Sequence, residues 1–239
     1  MIKPLAAALL LAALALSASP AAAKDWKDSA ELSIISANGN TKTQTISGRN
    51  LFTYDFSDKT KLEVEAGGHG ARNEGKVMAE QYFASEKVSH KISDRNYLFE
   101  RYRWDRDVFA GFKHRHSFSA GVGRELWKTD KDLLVGEAAP GYVNEERIGD
   151  NTRSFASARL YAKYTRELSE ASKFNQDAEY IQSLQNSDDS WINTETALIA
   201  AINATFSVKN SFIWKHVSRP SPAKRKDDTV VAVALIASF

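Results

Sequence analysis

The chain has 239 residues, a formal net charge of +2 and no cysteine, and its mean hydropathy is −0.42. A near-neutral balance gives no basis for a nucleic-acid partner or a strongly charged substrate, and the missing thiols exclude a disulfide framework. Hydropathy alone suggests a soluble protein, but the strands of a membrane barrel present only alternate residues to lipid and escape that measure.

The first segment reads as a secretory signal peptide over residues 1–23. Lys3 supplies a positive start, Leu5 to Leu16 is an apolar run, Ser17 to Pro20 breaks it, and Ala21-Ala22-Ala23 offers small residues for cleavage. The apolar run is shorter than the roughly 18 residues a membrane-spanning helix needs. Residues 24–239 are then a single exported domain, and no cysteine near the cleavage point could carry a lipid anchor.

Two interleaved series of turn signals divide the rest. Ser57, Ser93, Thr129, Ser169 and Ser207 stand 36, 36, 40 and 38 positions apart, each among Asp, Lys, Asn or further Ser residues. Such side chains hydrogen-bond nearby backbone and favour turns. Between them lie Asn38-Gly39-Asn40, Asn73-Glu74-Gly75, Ile148-Gly149-Asp150-Asn151, Asn186-Ser187-Asp188-Asp189 and the long stretch from Ser218 to Asp228. The pattern predicts a meander of hairpins. Its strands fall near 27–37, 42–56, 60–72, 76–90, 96–106, 114–127, 132–146, 153–167, 174–185, 191–205, 209–217 and 229–239. The expected fold class is all-β: a single closed antiparallel up-and-down transmembrane barrel of twelve strands, within a range of 10–14. With both termini on the periplasmic side, the Ser/Asp/Lys series forms periplasmic turns and the second series forms extracellular loops.

Periodicity separates this reading from a helical solenoid. The eighth strand places Ala156, Ala158, Leu160, Ala162 and Tyr164 on one face and Arg153, Ser157, Arg159, Lys163 and Glu167 on the other. The tenth sets Ile192, Leu198, Ala200, Ile202 and Phe206 against Asn193, Glu195 and Asn203. Both show period two over a full strand length, and propeller strands are normally much shorter than these. The ninth strand is less regular, because Gln176 and Gln182 share a face with Phe174, Ala178 and Tyr180. Charges on both faces of the fifth predict a bulge near Arg103. Pro140 lacks a ladder donor and predicts another at Ala139 to Gly141.

Val231, Val233, Leu235 and Ala237 alternate up to the terminal Phe239, a pattern similar to the signal read by the barrel-assembly machinery. Several motifs also resemble a bacterial family of salt-induced outer-membrane proteins whose function is unknown. They are Gly39-Asn40-Thr41, Trp104-Asp105-Arg106, Ala120-Gly121-Val122-Gly123, Pro140-Gly141-Tyr142 and the terminal Phe239. The likeness covers about residues 26–239. Arg124 departs from it, standing where an aromatic is common, and so does Ala139, where Gly is common. The resemblance implies an outer-membrane barrel linked to osmotic or acid stress, with outer-membrane lipid and the assembly machinery as its partners. It brings no activity and no functional residues.

The candidate site is therefore the lumen. Glu137, Glu145, Arg147, Arg159, Lys163, Asp177, Glu179, Glu195 and Lys215 are expected to face inward. A turn around Ser169 to Ser172 makes residues summing to 340 or 342 neighbours, so Lys163 faces Asp177 or Glu179. Mixed charges fit either a narrow aqueous pore or a self-neutralising filling, since twelve strands lie between filled and open barrels. An enzyme is the alternative of a different class. His216 and Ser218 share a strand face and could form a dyad, but no catalytic residue is assigned and the chain is expected not to be an enzyme. A soluble periplasmic barrel is the other alternative. His114 and His116 have the spacing of a strand-borne metal pair but lack an evident third ligand, so they read as a loop-edge pair, and no metal or cofactor is expected. Trp26, Trp104, Trp127, Trp191 and Trp214 read as interfacial girdle residues. Solute and oligomeric state are left open.

Overall fold

The computed structural model describes residues 25–38, 42–222 and 224–239. The expected signal peptide and the Gly39-Asn40 turn lie outside them. Twelve strands follow in chain order: β1 (Trp26–Asn38), β2 (Lys42–Asp55), β3 (Thr60–Asn73), β4 (Lys76–Lys91), β5 (Asn96–Asp107) and β6 (Phe112–Lys128), then β7 (Asp132–Arg147), β8 (Arg153–Ser169), β9 (Ser172–Ser183), β10 (Ser190–Ala201), β11 (Phe206–Val217) and β12 (Asp227–Ser238). Each pairs antiparallel with its sequence neighbours, and β12 pairs back onto β1 to close the barrel. The closing ladder runs from Ser29↔Ser238 to Leu32↔Leu235, near the start of β1, so neither terminal strand is left as a wholly open edge.

Tight turns of two to four residues lie at the end where β1 begins and β12 ends, here the terminus end, and the longest connections, 148–152, 184–189 and 218–226, lie at the other. At the terminus end the turn hydroxyls cap backbone amides. Ser57 Oγ accepts from the amide of Thr60 at 3.1 Å, Ser93 Oγ from Asn96 at 3.1 Å, and Thr129 Oγ1 from Asp132 at 2.9 Å. The fifth of these turns lies earlier than the sequence pattern suggested. It occupies residues 202–205, so Ile202 and Phe206 are not part of β10 and Ser207 is already inside β11. The cause is Asn203, whose Oδ1 accepts from the amides of Thr205 and Phe206 at 2.9 and 2.8 Å. An asparagine makes the same kind of turn as a serine.

Two expected bulges differ as well. In the β5–β6 ladder the register shifts between Asp105 and Asp107, not at Arg103. Through Arg103 the strand alternates normally, with Arg101, Arg103 and Asp105 on the inner face. At Pro140 no residue is inserted. The ladder to β6 skips two rungs and resumes in register at Val122↔Ala138, while Pro140↔Ala158 continues the ladder to β8. The interruption is confined to those two rungs, and Gly121, with no side chain, lets β6 and β7 stay close there.

The burial pattern inverts that of a soluble protein. Val231 is 72 % exposed and Leu160 54 %, both on the outer wall, whereas Glu145 is 1 % and Arg159 5 % exposed on the inner face. Apolar residues outside and charges inside are the pattern of a barrel standing in hydrocarbon around a polar lumen. Gln176 and Gln182 fit that outer wall because their amides are occupied. Gln176 donates to the carbonyl of Asp177 at 2.9 Å, and Gln182 to those of Ser183 and Asp189 at 3.0 Å each. Trp191 is the exception among the expected girdle residues. It points inward and packs with Val143, Phe155 and Ile181 in a small buried apolar cluster.

Candidate functional site in the lumen

The inner faces of all twelve strands surround a cavity of about 460 Å³. All nine expected residues line it, and in all eleven carboxylates and eleven Lys or Arg side chains do so among the described residues. The inner wall therefore carries no net formal charge, and many of its charges fall in three clusters, beside a separate Arg103–Asp105 pair at 2.7 Å.

The first is centred on Glu137 and Glu179. Arg159 donates to Glu137 at 2.9 Å and to Glu179 at 2.7 Å. Arg101 reaches Glu179 at 3.2 Å, Lys87 pairs with Glu137, and the Tyr97 hydroxyl donates to Glu137 at 2.8 Å. Arg101 on β5 and Glu179 on β9 stand four strands apart in the ring, so this contact crosses the lumen. The second joins β10 and β11 to β1 and β2. Lys209 contacts Glu195 at 2.6 Å and Glu31 at 3.0 Å, while Arg49 pairs with Glu65 and reaches Glu195 at 3.2 Å. The third lies at the loop end around Glu145, which accepts from Arg147 at 2.6 Å, from Arg153 at 2.9 Å and from Arg115. The guanidinium of Arg115 also lies 4.1 Å from the Trp191 ring centre, a cation–π contact.

Lys163 and Asp177 are ladder partners in the register that sums to 340. Lys215 stands apart from the clusters and donates across the lumen to Gln81 on β4 at 3.1 Å. Sequence reasoning put Arg153 on the polar face of the eighth strand but missed Glu31, Arg49, Glu65, Lys87, Arg101, Arg115 and Lys209. The parity of positions would have found them, because away from bulges each ladder from β1–β2 to β10–β11 joins residues of like parity. Odd-numbered residues thus face inward from β1 to β11.

The β11–β12 connection, expected as the longest extracellular loop, brings described residues over the mouth. Pro220, Ser221 and Arg225 line the cavity. Ser221 Oγ donates to the carbonyl of Gly111 at 2.8 Å, and Arg147 donates to that of Arg219 at 2.9 Å. Gly111 belongs to the β5–β6 turn on the opposite side of the ring. Its φ is +95°, and an added Cβ would lie 2.5 Å from that of Ser221, so glycine fits there on both counts.

The other sequence candidates are arranged differently from the chemistry considered for them. His216 Nδ1 lies 2.8 Å from Asp227 Oδ1, while the Ser218 hydroxyl donates to the carbonyls of Asp188 and Ser190 at 2.6 and 3.0 Å. The two side chains make no dyad. His114 and His116 sit on the outer face of β6 close to its loop end. Trp104 Nε1 donates to His114 Nδ1 at 3.2 Å, and the Tyr102 hydroxyl lies 2.8 Å from His116 Nδ1.

The model of the family described as "Protein of unknown function, DUF481" matches residues 30–239. The uncharacterized protein YdiY of Escherichia coli (strain K12) is 26 % identical over 196 residues, covering 81 % of this chain and 75 % of that one. Among solved structures, the COG4313 outer membrane channel from Pseudomonas putida F1 superposes with a TM-score of 0.52 at 10 % identity, over 93 % of this chain and 100 % of that one. The NanC porin does so with a TM-score of 0.51 at 8 % identity, over 89 % of this chain and 97 % of that one. These two likenesses concern the fold.

Proposed function

The chain belongs to the DUF481 family, and on that premise we propose that it is an outer-membrane protein forming a narrow channel for small polar solutes, closed at rest by its 218–226 loop. The observation that carries this reading is the pairing of an apolar outer wall with a charge-balanced polar cavity of about 460 Å³. A lining with no net charge favours neither ion sign, so the solutes it suits are neutral or zwitterionic. A channel and a porin share the fold, which supports the reading at the level of fold alone.

The apolar outer wall, alternating up to Phe239, supports a lipid environment and insertion by the barrel-assembly machinery. It also weighs against a soluble periplasmic barrel, and the engaged Ser218 hydroxyl weighs against a hydrolase. Export through the Sec pathway with cleavage after Ala23 belongs to the same proposal. A role in salt or acid stress rests on the family resemblance.

A second reading, a closed barrel that only strengthens the envelope, is favoured by the ion pairs that cross the lumen. One experiment separates the two. The protein purified from outer membranes, its N-terminus expected at Lys24, is reconstituted in planar bilayers beside a variant with residues 219–225 replaced by a short Gly/Ser linker. Small conductance steps are expected from the first and larger ones from the second. Silence from both proteins sinks the channel and leaves the closed barrel.

A further inference from the structure

Outside the lumen, on the wall, one rung runs Arg124↔Gly136↔Ala162↔Ala178 across β6, β7, β8 and β9. Three small residues in succession make a trough there. Leu160 forms part of its rim toward the loop end, and Leu126 folds over Gly136 at the terminus end. The cavity they help to line has a volume of about 800 Å³, within the roughly 300–1,000 Å³ of ligand pockets.

Arg124 stands at the β6 end of this rung. It is exposed on the outer wall, and no residue among those described makes a hydrogen bond or ion pair with its side chain. The outward carboxylate of Glu100 is four residues along β5 from Asn96, the ladder partner of Arg124. That of Asp132 is held by the Tyr164 hydroxyl at 2.6 Å and by Arg166 at 3.7 Å. An unpaired guanidinium at the end of an apolar trough matches one ligand chemistry, an anionic headgroup on a hydrocarbon chain. A guanidinium also suits phosphate geometrically, because its planar fork donates two parallel hydrogen bonds.

We propose that this trough is a binding site for an anionic glycerophospholipid, with an acyl chain over Ala162 and Ala178 against Leu126 and the phosphate on Arg124. The site holds its lipid from the terminus-end leaflet, because Arg124 lies near the β6–β7 turn. The inference rests on the reading of the barrel as membrane-embedded and is independent of whether the lumen conducts.

The test uses the full exported chain inserted into vesicles of phosphatidylcholine containing phosphatidylglycerol, then released in mild detergent and weighed by native mass spectrometry. Retained phosphatidylglycerol is expected to exceed retained phosphatidylcholine by about tenfold at equal supply, the scale of one charge-assisted contact. In Arg124→Gln that preference should vanish while some lipid of both kinds remains. In Ala162→Phe, which fills the trough, both should be lost. Folding of each variant is checked by the gel shift between unboiled and boiled samples. Inorganic phosphate alone should not bind, and an adduct with it that matches the lipid would overturn the trough. Equal retention of both lipids by the wild type, or an unchanged preference in Arg124→Gln, overturns the proposal alone. A chain that never inserts overturns both this site and the membrane reading.

Discussion

Among the described residues fourteen ladder pairs join β7 to β8, whereas four join β12 to β1, with one more backbone pair between Asp28 and Phe239. The inner faces of the two regions differ as much. Along β7 and β8 stand Glu137, Val143, Glu145, Phe155 and Arg159, all nearly buried and tied to several partners each. Along β12 the inner positions are Asp228 at the loop end and then Val230, Ala232 and Ala234, and the last three offer no charge to an ion pair. The small side chains have a use, however. Lys209 on β11 lies opposite Ala234 and reaches past it to Glu31 on β1. The closing seam is thus stapled from the neighbouring strand by one lysine, while the β7–β8 wall is held by a redundant network. Backbone pairing and lumen electrostatics are dense together along β7 and β8 and sparse together at the seam.

That contrast can be broken at its strongest point with Glu145→Ala. The substitution leaves the guanidinium groups of Arg115, Arg147 and Arg153 facing each other without their shared carboxylate. Removing one member of a buried ionic group costs about 3–5 kcal/mol, so the midpoint of denaturant unfolding in detergent should fall accordingly. An unchanged midpoint would show that the network does not support the wall.

A smaller effect is expected from Lys209→Met. The loss of charged hydrogen bonds to Glu31 and Glu195 should cost about 1.5–3 kcal/mol, and it should fall on the seam. Amides 29–32 and 235–238 should exchange hydrogen faster than in the wild type, with those of β7 and β8 unaffected. Uniform acceleration round the barrel would remove the case for a local staple.

Ser221→Ala is the mildest change. It deletes the hydroxyl that donates to Gly111 and should cost only about 0.5–1.5 kcal/mol. Its readout is the protease sensitivity of the 218–226 loop, which should rise while the barrel stays intact. A loop as resistant as before would mean that the contact across the mouth does not hold it.

Much of the fold is legible in the sequence because a barrel writes itself as alternation. Arg159 and Leu160 differ in polarity because one meets the lumen and the other the outer surface, and that difference repeats along β8 without any long-range information. The Lys163–Asp177 neighbours follow from the short Ser169–Ser172 turn, since a tight turn fixes register. The turn at Asn203 was misplaced because a run of Ser207, Lys209 and Asn210 looks equally polar, and only the amide caps distinguish the two. Trp191 was misread for a similar reason. A tryptophan near a strand end suits an interface, but its odd position turns it inward to the guanidinium of Arg115.

The sequence by itself therefore determined the strands, their alternation and the direction in which Glu137, Arg159 and Glu195 point, because these depend on residues a few positions apart. Only the tertiary structure decided that Arg101 meets Glu179, that Lys209 meets Glu31 and that Ser221 meets Gly111. Each of those contacts joins positions far apart in the chain, and closing the ring is what brings them within reach of one another.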